Sequence, residues 1–159
     1  MKRRAVDVQR DYDRLLYMQR LNWQINFPGQ VFFEPQFRFQ LASGAKRGEI
    51  FIYEQECALV GWLWLDLSRP GMGNIRHIQV EQAHWGKGIG RRIMEDAIGL
   101  YIGRKCRRVT LSVTKSNHRA MTLYEHLGFV VAEDLGERQR MALDLREVTQ
   151  EGQNRAKPR

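Results

Sequence analysis

The segment Ile75–Ile93 has the sequence IRHIQVEQAHWGKGIGRRI, and the fold prediction starts from it. A β-prone run over residues 75–80 leads into a glycine-rich stretch, and apolar residues then recur every three or four positions over residues 88–102. These two periodicities predict a strand and a helix. Backbone N–H groups at the start of a helix favour phosphate groups, and glycine lets a ligand come close to the backbone. The segment therefore predicts a loop between strand and helix that can bind a phosphorylated ligand.

The class of ligand stays open on this segment alone. The pattern Gly86-Lys87-Gly88-Ile89-Gly90 matches neither the GxxxxGK[ST] pattern of P-loops nor the GxGxxG pattern of dinucleotide folds. Lys87, Arg91 and Arg92 add positive charge at the same place. The alternative interpretation is a tight turn that binds no ligand.

The flanking sequence predicts a mixed α/β protein with a strand–loop–helix–strand crossover at its centre. Helices are predicted over residues 8–22, 34–46, 88–102 and 117–127. Strands are predicted over residues 50–53, 58–67, 75–80, 109–113, 129–132 and 140–145. Asn117 or Ser116 is expected to cap the last helix at its N-terminus, and Gly128 follows its end.

Length and charge narrow the classes of protein. A chain of 159 residues and 18.7 kDa predicts one domain over residues 1–146, with a mobile tail over residues 147–159 because those residues show no periodicity. The net charge is +8 and the pI is near 9.9. Between Arg76 and Arg119, ten Lys and Arg stand against three Asp and Glu, a net charge of +7. An excess of this size suggests a polyanionic partner such as nucleic acid, anionic lipid or a phosphorylated cofactor.

Short sequence patterns argue against a membrane-spanning, a secreted, a disulfide-bonded and a zinc-binding protein. The longest apolar run, Ala58–Leu65, is far below the roughly 20 residues of a membrane-spanning helix. The basic start MKRRAVDVQR leads into no apolar stretch, so no secretory signal is expected. Cys57 and Cys106 lie far apart without CxxC spacing, which argues against a disulfide framework and a zinc site. We therefore expect a cytoplasmic protein without metal.

Two segments resemble signatures of the GNAT acetyltransferase superfamily. Residues 80–98, VEQAHWGKGIGRRIMEDAI, are similar to its acyl-CoA-binding segment, and residues 111–130, LSVTKSNHRAMTLYEHLGFV, are similar to its second signature. The positions of the second signature that fall in register are Val113, Asn117, Ala120, Leu123, Tyr124, Gly128 and Phe129. Trp85 departs from the pattern, because the family has Gln or Arg before the first loop glycine. Gln82 departs as well, because that position is frequently Pro.

The resemblance implies a fold, a cosubstrate and a set of residues. The fold is a mostly antiparallel sheet of six to seven strands flanked by about four helices. Acetyl-CoA would place its pyrophosphate on the loop and helix start and pair its pantetheine arm with the strand. Asn117 would hydrogen-bond that arm or hold its loop, and Tyr124 would donate a proton to the departing thiolate. The implied cofactor-binding residues are Ile78, Gln79, Val80, Trp85, Gly86, Lys87, Gly88, Ile89, Gly90, Arg91 and Asn117.

The proton acceptor for the amine stays open. Relatives often carry a carboxylate on the strand before the loop, whereas residues 73–80 contain none and Asn74 occupies the corresponding position. Histidine is the residue type on this strand whose ordinary pKa suits a base near neutrality, so His77 is the candidate, with a hydrogen-bonded histidine on the sheet face as the alternative. Glu81 is the nearest acid and is expected to be solvated. For Tyr124 the alternative to chemistry is helix packing.

An acceptor pocket is expected from aromatic side chains, with core packing as the alternative. The aromatic candidates are Trp23, Phe27, Phe32, Phe33, Phe37, Phe39, Trp62 and Trp64. We expect acetyl transfer to a primary amine by direct attack in a ternary complex, with a homodimer possible. Two other hypotheses are a catalytically degenerate acyl-CoA-binding domain and a basic nucleic-acid-binding module. The second is disfavoured because basic and aromatic residues are segregated. Concentration of the charge around the loop favours coenzyme A as the polyanion.

Overall fold

The structure is a computed structural model that describes residues 1–146 and Val148. The tail predicted over residues 147–159 lies outside the described residues, Val148 excepted. The strands are β1 (Lys2–Ala5), β2 (Ile50–Gln55), β3 (Ala58–Asp66), β4 (Met72–Val80), β5 (Arg108–Thr114), β6 (Val130–Leu135) and β7 (Arg138–Asp144). The helices are α1 (Val8–Asn26), α2 (Glu34–Lys46), α3 (Ile89–Gly103) and α4 (His118–His126), with a short 3₁₀ turn at Gln82–His84.

Within the described residues, seven strands are hydrogen-bonded in the order β1-β2-β3-β4-β5-β7-β6. Strands β4 and β5 run parallel, as the crossover through α3 requires. The pairs β1–β2, β2–β3, β5–β7 and β6–β7 are antiparallel. The predicted mixed α/β fold, with a mostly antiparallel sheet of six to seven strands and about four helices, is confirmed.

The chain forms two compact units. The first contains residues 1–65 and 76–94, and the second contains residues 66–75 and the described residues from 95 onward. Strand β4 and helix α3 each contribute residues to both units. The prediction of a single domain over residues 1–146 stays a prediction.

The first unit has a core of apolar side chains from α1, α2, β2 and β3. Its buried members are Leu15, Met18, Phe37, Leu41, Ile50, Ile52, Trp62 and Trp64. Helix α1 begins after Asp7, whose carboxylate accepts hydrogen bonds from the N–H groups of residues 9 and 10. Gly44 in α2 leaves room for an indole, since a Cβ there would lie 2.8 Å from the ring of Trp64.

The alternation of apolar residues does not predict strand β1, which the structure contains. Arg4 binds both carboxylate oxygens of Asp11 at 2.7 Å and reaches Glu54 at 2.8 Å. Backbone pairing with β2 and these ion pairs stabilise the strand, so its sequence needs no alternation of apolar residues.

The second unit explains why β4 begins at Met72 and not at the predicted residue 75. Met72 to Ile75 pair with β5, and Gly73 lies under the buried ring of Tyr101. The Tyr101 hydroxyl donates to the backbone carbonyls of Asn74 at 2.7 Å and Asp66 at 3.2 Å. A turn-like sequence is therefore held as a strand by a side chain from α3.

Candidate functional site

A buried polar network holds the end of β4 in the first unit. Gln79 Oε1 accepts a hydrogen bond from Trp62 Nε1 at 2.7 Å, and Gln79 Nε2 donates to Gln19 Oε1 at 2.5 Å. All three residues are buried. Paired polar groups in the interior fix the position of the elements that carry them. The network therefore ties β4 to β3 and to α1, directly beside the predicted pantetheine-binding residues Ile78 and Val80.

His77 of β4 lies against two tryptophans of β3. Its ring stacks on Trp62, with centroids 5.7 Å apart and planes 22° apart, and its centroid lies 5.6 Å from that of Trp64. Both indoles are buried. These ring contacts place His77 on a face of the sheet, and its role as a base stays a prediction.

Hydrogen bonds to β3 and within the loop itself hold the loop after β4 in place. The Glu81 N–H donates to Val60 O at 2.9 Å, and the backbone N–H of Trp85 donates to Gln82 O at 3.1 Å. The indole of Trp85 turns back, and its Nε1 donates to Val80 O at 2.8 Å. The side chain that departs from the family pattern thus fastens the loop to the end of the strand.

Two loop positions require glycine. Gly86 and Gly88 both have a φ of +75°, a conformation that side-chain-bearing residues rarely adopt. Space around both positions is open, since nothing lies within 4 Å of a Cβ built there. Helix α3 follows with no acidic residue in its first turn, and Lys87 and Arg91 are exposed. An anion could therefore bind here to accessible backbone N–H groups at the start of a helix, close to positively charged side chains.

Glu81 is buried, and the expectation that it is solvated was wrong. Its exposed fraction is 8%, because its N–H pairs with β3 and its carboxylate turns toward α1. Arg14 of α1 reaches Glu81 Oε1 at 2.5 Å. Glu81 Oε2 has no hydrogen-bond partner among the described residues.

Asn74 lies in the second unit, in a groove of about 460 Å³. Arg69, Arg108 and Thr110 also line the groove. The Thr110 hydroxyl lies 3.3 Å from Asn74 Oδ1, to which it donates a hydrogen bond. An amide at this position can orient a polar group but takes up no proton.

The second signature forms α4 and the turn after it. Asn117 Oδ1 accepts from the Ala120 N–H at 3.3 Å, so Asn117, and not Ser116, is the N-cap. Gly128 follows the helix at a φ of +89°. Tyr124 is 8% exposed, and its ring centroid lies 6.0 Å from that of Phe129. Burial raises the pKa of Tyr124 to about 12, which keeps the phenol protonated near neutral pH.

The aromatic candidates divide between core and surface. Phe37, Trp62 and Trp64 are buried in the core of the first unit, as the alternative interpretation expected. Phe33 and Phe39 are 63% and 77% exposed. A pocket role stays a prediction for the exposed members.

Sequence reasoning missed two buried polar atoms, Glu81 Oε2 and Gln139 Nε2, which have no hydrogen-bond partner within the described residues. Periodicity could not find them, because both residue types are ordinarily solvated. The described part of the chain also contains no cluster of three His, Cys, Asp or Glu side chains able to hold a metal ion. Among residues 1–146 and Val148, no helix is both long and apolar enough to cross a membrane.

Comparison with known proteins adds relatives over the same residues. The family model described as "Acetyltransferase (GNAT) family" matches residues 13–129. A mycothiol acetyltransferase of Beutenbergia cavernae is 36% identical over 72 residues, which cover 45% of this chain and 24% of that protein. The 5-NmdU N-acetyltransferase of Pseudomonas phage PaMx11 is 31% identical over 106 residues, which cover 65% of this chain and 74% of that protein. The match thus spans about a quarter of the mycothiol enzyme and about three quarters of the phage enzyme.

Solved structures share the fold. The PaiA N-acetyltransferase of Thermoplasma acidophilum, in complex with coenzyme A, has a TM-score of 0.76 at 16% identity and covers 90% of this chain and 98% of its own. The Salmonella typhimurium protein yncA, solved with its cofactor acetyl-CoA, has a TM-score of 0.69 at 17% identity and covers 91% of this chain and 94% of its own. At these identities the likeness concerns the fold alone.

Proposed function

The chain belongs to the acetyltransferase (GNAT) family, and on that premise we propose that it transfers the acetyl group of acetyl-CoA to a primary amine. The observation that carries the proposal is the loop after β4. Two glycines at a φ of +75° open its backbone at the start of α3, and Trp85 fastens it to Val80. A phosphorylated cosubstrate with a long polar arm suits a strand end followed by such a loop.

The residues proposed to bind acetyl-CoA are those that the family resemblance implies. The N–H groups of residues 86–90 would bind the pyrophosphate, whereas the backbone N–H of Trp85 already donates to Gln82 O. The backbone of residues 78–80 would pair with the pantetheine arm. Lys87 and Arg91 would add charge attraction to the phosphates. Asn117 already caps α4, which supports its proposed role of holding the loop before that helix.

Acetyl transfer needs a neutral amine and a proton for the sulfur. The amine nitrogen attacks the thioester carbonyl carbon, the C–N bond forms, and the C–S bond breaks as the thiolate of coenzyme A leaves. The amine loses one proton and the thiolate gains one, which gives an amide and free coenzyme A. We propose Tyr124 as the proton donor, supported by its place in the second signature.

Titration calorimetry tests the cosubstrate. Acetyl-CoA and coenzyme A should both bind, and absence of binding up to about 1 mM, the upper end of ordinary KM values, would contradict the proposal. Tyr124→Phe should lower kcat roughly 100-fold or more and leave the Kd for acetyl-CoA unchanged. Tyr101→Phe removes another buried hydroxyl in the same unit and should lower stability with kcat retained. Unchanged turnover in Tyr124→Phe would remove that residue from the mechanism.

The acceptor is proposed as a class only. The phage relative is named a 5-NmdU N-acetyltransferase and a relative of Saccharomyces cerevisiae is named N-alpha-acetyltransferase 40, which supports an amine acceptor without choosing among amines. A thiol-release assay should therefore compare a peptide with a free N-terminus, a blocked peptide with one lysine, spermidine and an aminomethyl nucleoside. Direct attack in a ternary complex predicts intersecting double-reciprocal plots with the best of them. A cytoplasmic location and a homodimer remain our proposals.

A degenerate acyl-CoA-binding domain is the second candidate, favoured by one observation. Residues 73–80 carry no carboxylate, and Asn74 faces a groove with Thr110. Binding of acetyl-CoA without thiol release on any amine of the panel would decide for this candidate.

A further inference from the structure

The groove beside Asn74 has the size and the polarity of a small-molecule site. Its volume is about 460 Å³, within the range of roughly 300–1,000 Å³ that such sites occupy. All of its lining residues belong to the second unit. None of the residues proposed to bind acetyl-CoA is among them, so the groove calls for a ligand of its own.

The alternation of side chains along β5 sets the chemistry of the groove. Arg108, Thr110 and Ser112 stand at every second position and share one face, whereas the residues between them are buried. The sheet register places Asn74 of β4 beside Thr110, and Arg140 of β7 beside Ser112. The Thr110 hydroxyl donates to Asn74 Oδ1 at 3.3 Å, so the N–H groups of Asn74 Nδ2 are the donors that a ligand can use.

Both carboxylates that line the groove already have donors from the protein. Asp66 Oδ1 accepts from the Ser68 N–H at 3.0 Å and from the Ser68 hydroxyl at 2.6 Å. Glu133 pairs with Arg140 at 2.5 Å. The two acids therefore do not neutralise the other arginines of the groove.

Those other arginines are Arg69 and Arg108. Both are exposed, and neither forms a salt bridge among residues 1–146 and Val148. Asp144 is the register partner of Arg108 on β7, but its carboxylate accepts from Arg146 at 3.0 Å. Guanidinium groups bind phosphate oxygens through pairs of parallel hydrogen bonds. The groove thus combines two available guanidinium groups with the amide of Asn74.

We propose that this groove is a binding site for a small organic phosphate monoester, whose phosphate group binds Arg69, Arg108 and the Asn74 amide. Two guanidinium groups and an amide match the charge of nearly −2 and the three acceptor oxygens of a phosphate monoester. The inference goes beyond the proposed acetyl transfer and does not depend on it. The phosphate belongs either to the amine acceptor itself or to a separate ligand, and the two sources give different results below.

The binding test uses phosphoethanolamine, followed by ¹H–¹⁵N NMR that includes the arginine Nε–H signals. Coenzyme A at saturation keeps the probe from the glycine loop. Arg69→Gln and Arg108→Gln should each raise the Kd of the probe about 10- to 100-fold, as expected for hydrogen bonds to a charged group. Arg104→Gln is the matched control, because it removes an equal charge from an exposed residue of the same unit outside the groove. It should leave the Kd unchanged.

Turnover decides where the phosphate comes from. If the acceptor carries it, wild-type kcat/KM should be at least tenfold higher for phosphoethanolamine than for ethanolamine, about one good charged hydrogen bond, and Arg108→Gln should abolish that preference. If a separate ligand carries it, methyl phosphate should bind as tightly as phosphoethanolamine, and the two amines should have equal kcat/KM.

Three results would overturn the inference. The first is the absence of saturable binding of phosphoethanolamine and methyl phosphate up to about 10 mM, a free energy of binding weaker than about −3 kcal/mol. The second is an equal rise in Kd in Arg104→Gln. The third is weaker acetyl-CoA binding in Arg69→Gln or Arg108→Gln, since the groove would then belong to the cosubstrate. A wild-type chain that binds phosphoethanolamine but no acetyl-CoA would refute the proposed function and uphold this inference.

Discussion

Gly61 gives the sharpest test of how tightly β3 packs on the strand that carries the candidate site. A Cβ at this position would lie 2.7 Å from Ile93 Cδ1 and 2.8 Å from the backbone carbonyl oxygen of Gln79. The isoleucine methyl group can rotate away, but the carbonyl belongs to β4 and can move only with its strand. Gly61→Ala is therefore an overpacking change, although its φ lies outside the left-handed region.

The expected loss follows from the two contacts. Overpacking of a dense interior destabilises by roughly 1–3 kcal/mol, which lowers Tm by about 2 to 12 °C for a chain of this size. A displaced carbonyl at Gln79 also shifts the neighbouring residues of β4, so the Kd for acetyl-CoA should rise. Urea unfolding followed by circular dichroism gives the free energy of unfolding, and calorimetry gives the Kd.

Gly99→Ala is the matched control for Gly61→Ala. Gly99 lies inside α3 with nothing within 4 Å of a Cβ, so alanine should stabilise the helix by about 0.5–1 kcal/mol. Ile93→Val in the Gly61→Ala background removes the movable contact and should recover only part of the loss. If Gly61→Ala unfolds at the same urea midpoint as the wild type, the contact with the strand carbonyl does not destabilise the protein. If Ile93→Val restores the whole free energy of unfolding, the isoleucine and not the carbonyl causes the loss. Either result would refute the argument.

Three further changes have defined outcomes. Trp85→Phe removes the donor to Val80 O and should weaken acetyl-CoA binding roughly 2- to 12-fold in calorimetry. Gln139→Met removes a buried donor without a partner in the described chain and should raise the free energy of unfolding by about 1 kcal/mol. Burial raises the pKa of Asp11, but the hydrogen bonds from Arg4 and from the Asp7 N–H outweigh it and hold the pKa below the ordinary 3.8. Asp11→Asn should therefore lose roughly 1.5–3 kcal/mol in urea unfolding at neutral pH. The difference from wild type should narrow as the pH falls through the depressed pKa.

A different result would contradict each of these three predictions. Trp23→Phe loses a similar indole bond, to Gln30 O at 3.0 Å, and should leave acetyl-CoA binding unchanged, so equal losses in both tryptophan variants would contradict a specific role for Trp85. A lower Tm in Gln139→Met would mean that the amide has a stabilising partner. An Asp11→Asn deficit that is constant from neutral to acid pH would show that shape, and not charge, holds β1.

Local sequence was sufficient for the loop and the helices beside it. Gly86 and Gly88 have the left-handed φ that glycine permits. Helix α4 begins after Asn117, whose side chain caps it, and is followed by Gly128, which has no side chain to oppose a positive φ. These features depend on residues within one turn of each other, so their spacing along the chain contains the information. The family signatures lie in the same local patterns.

Tertiary structure decided the features that depend on distant partners. Strand β1 forms because Arg4 meets Asp11 and Glu54, and β4 extends to Met72 because Tyr101 covers Gly73. Glu81 is the plainest example. An acid beside a glycine loop has the composition of a solvated residue, and only the approach of α1 and β3 buries it. Burial is a property of the whole packing, whereas a left-handed glycine or a helix cap is a property of a few consecutive residues.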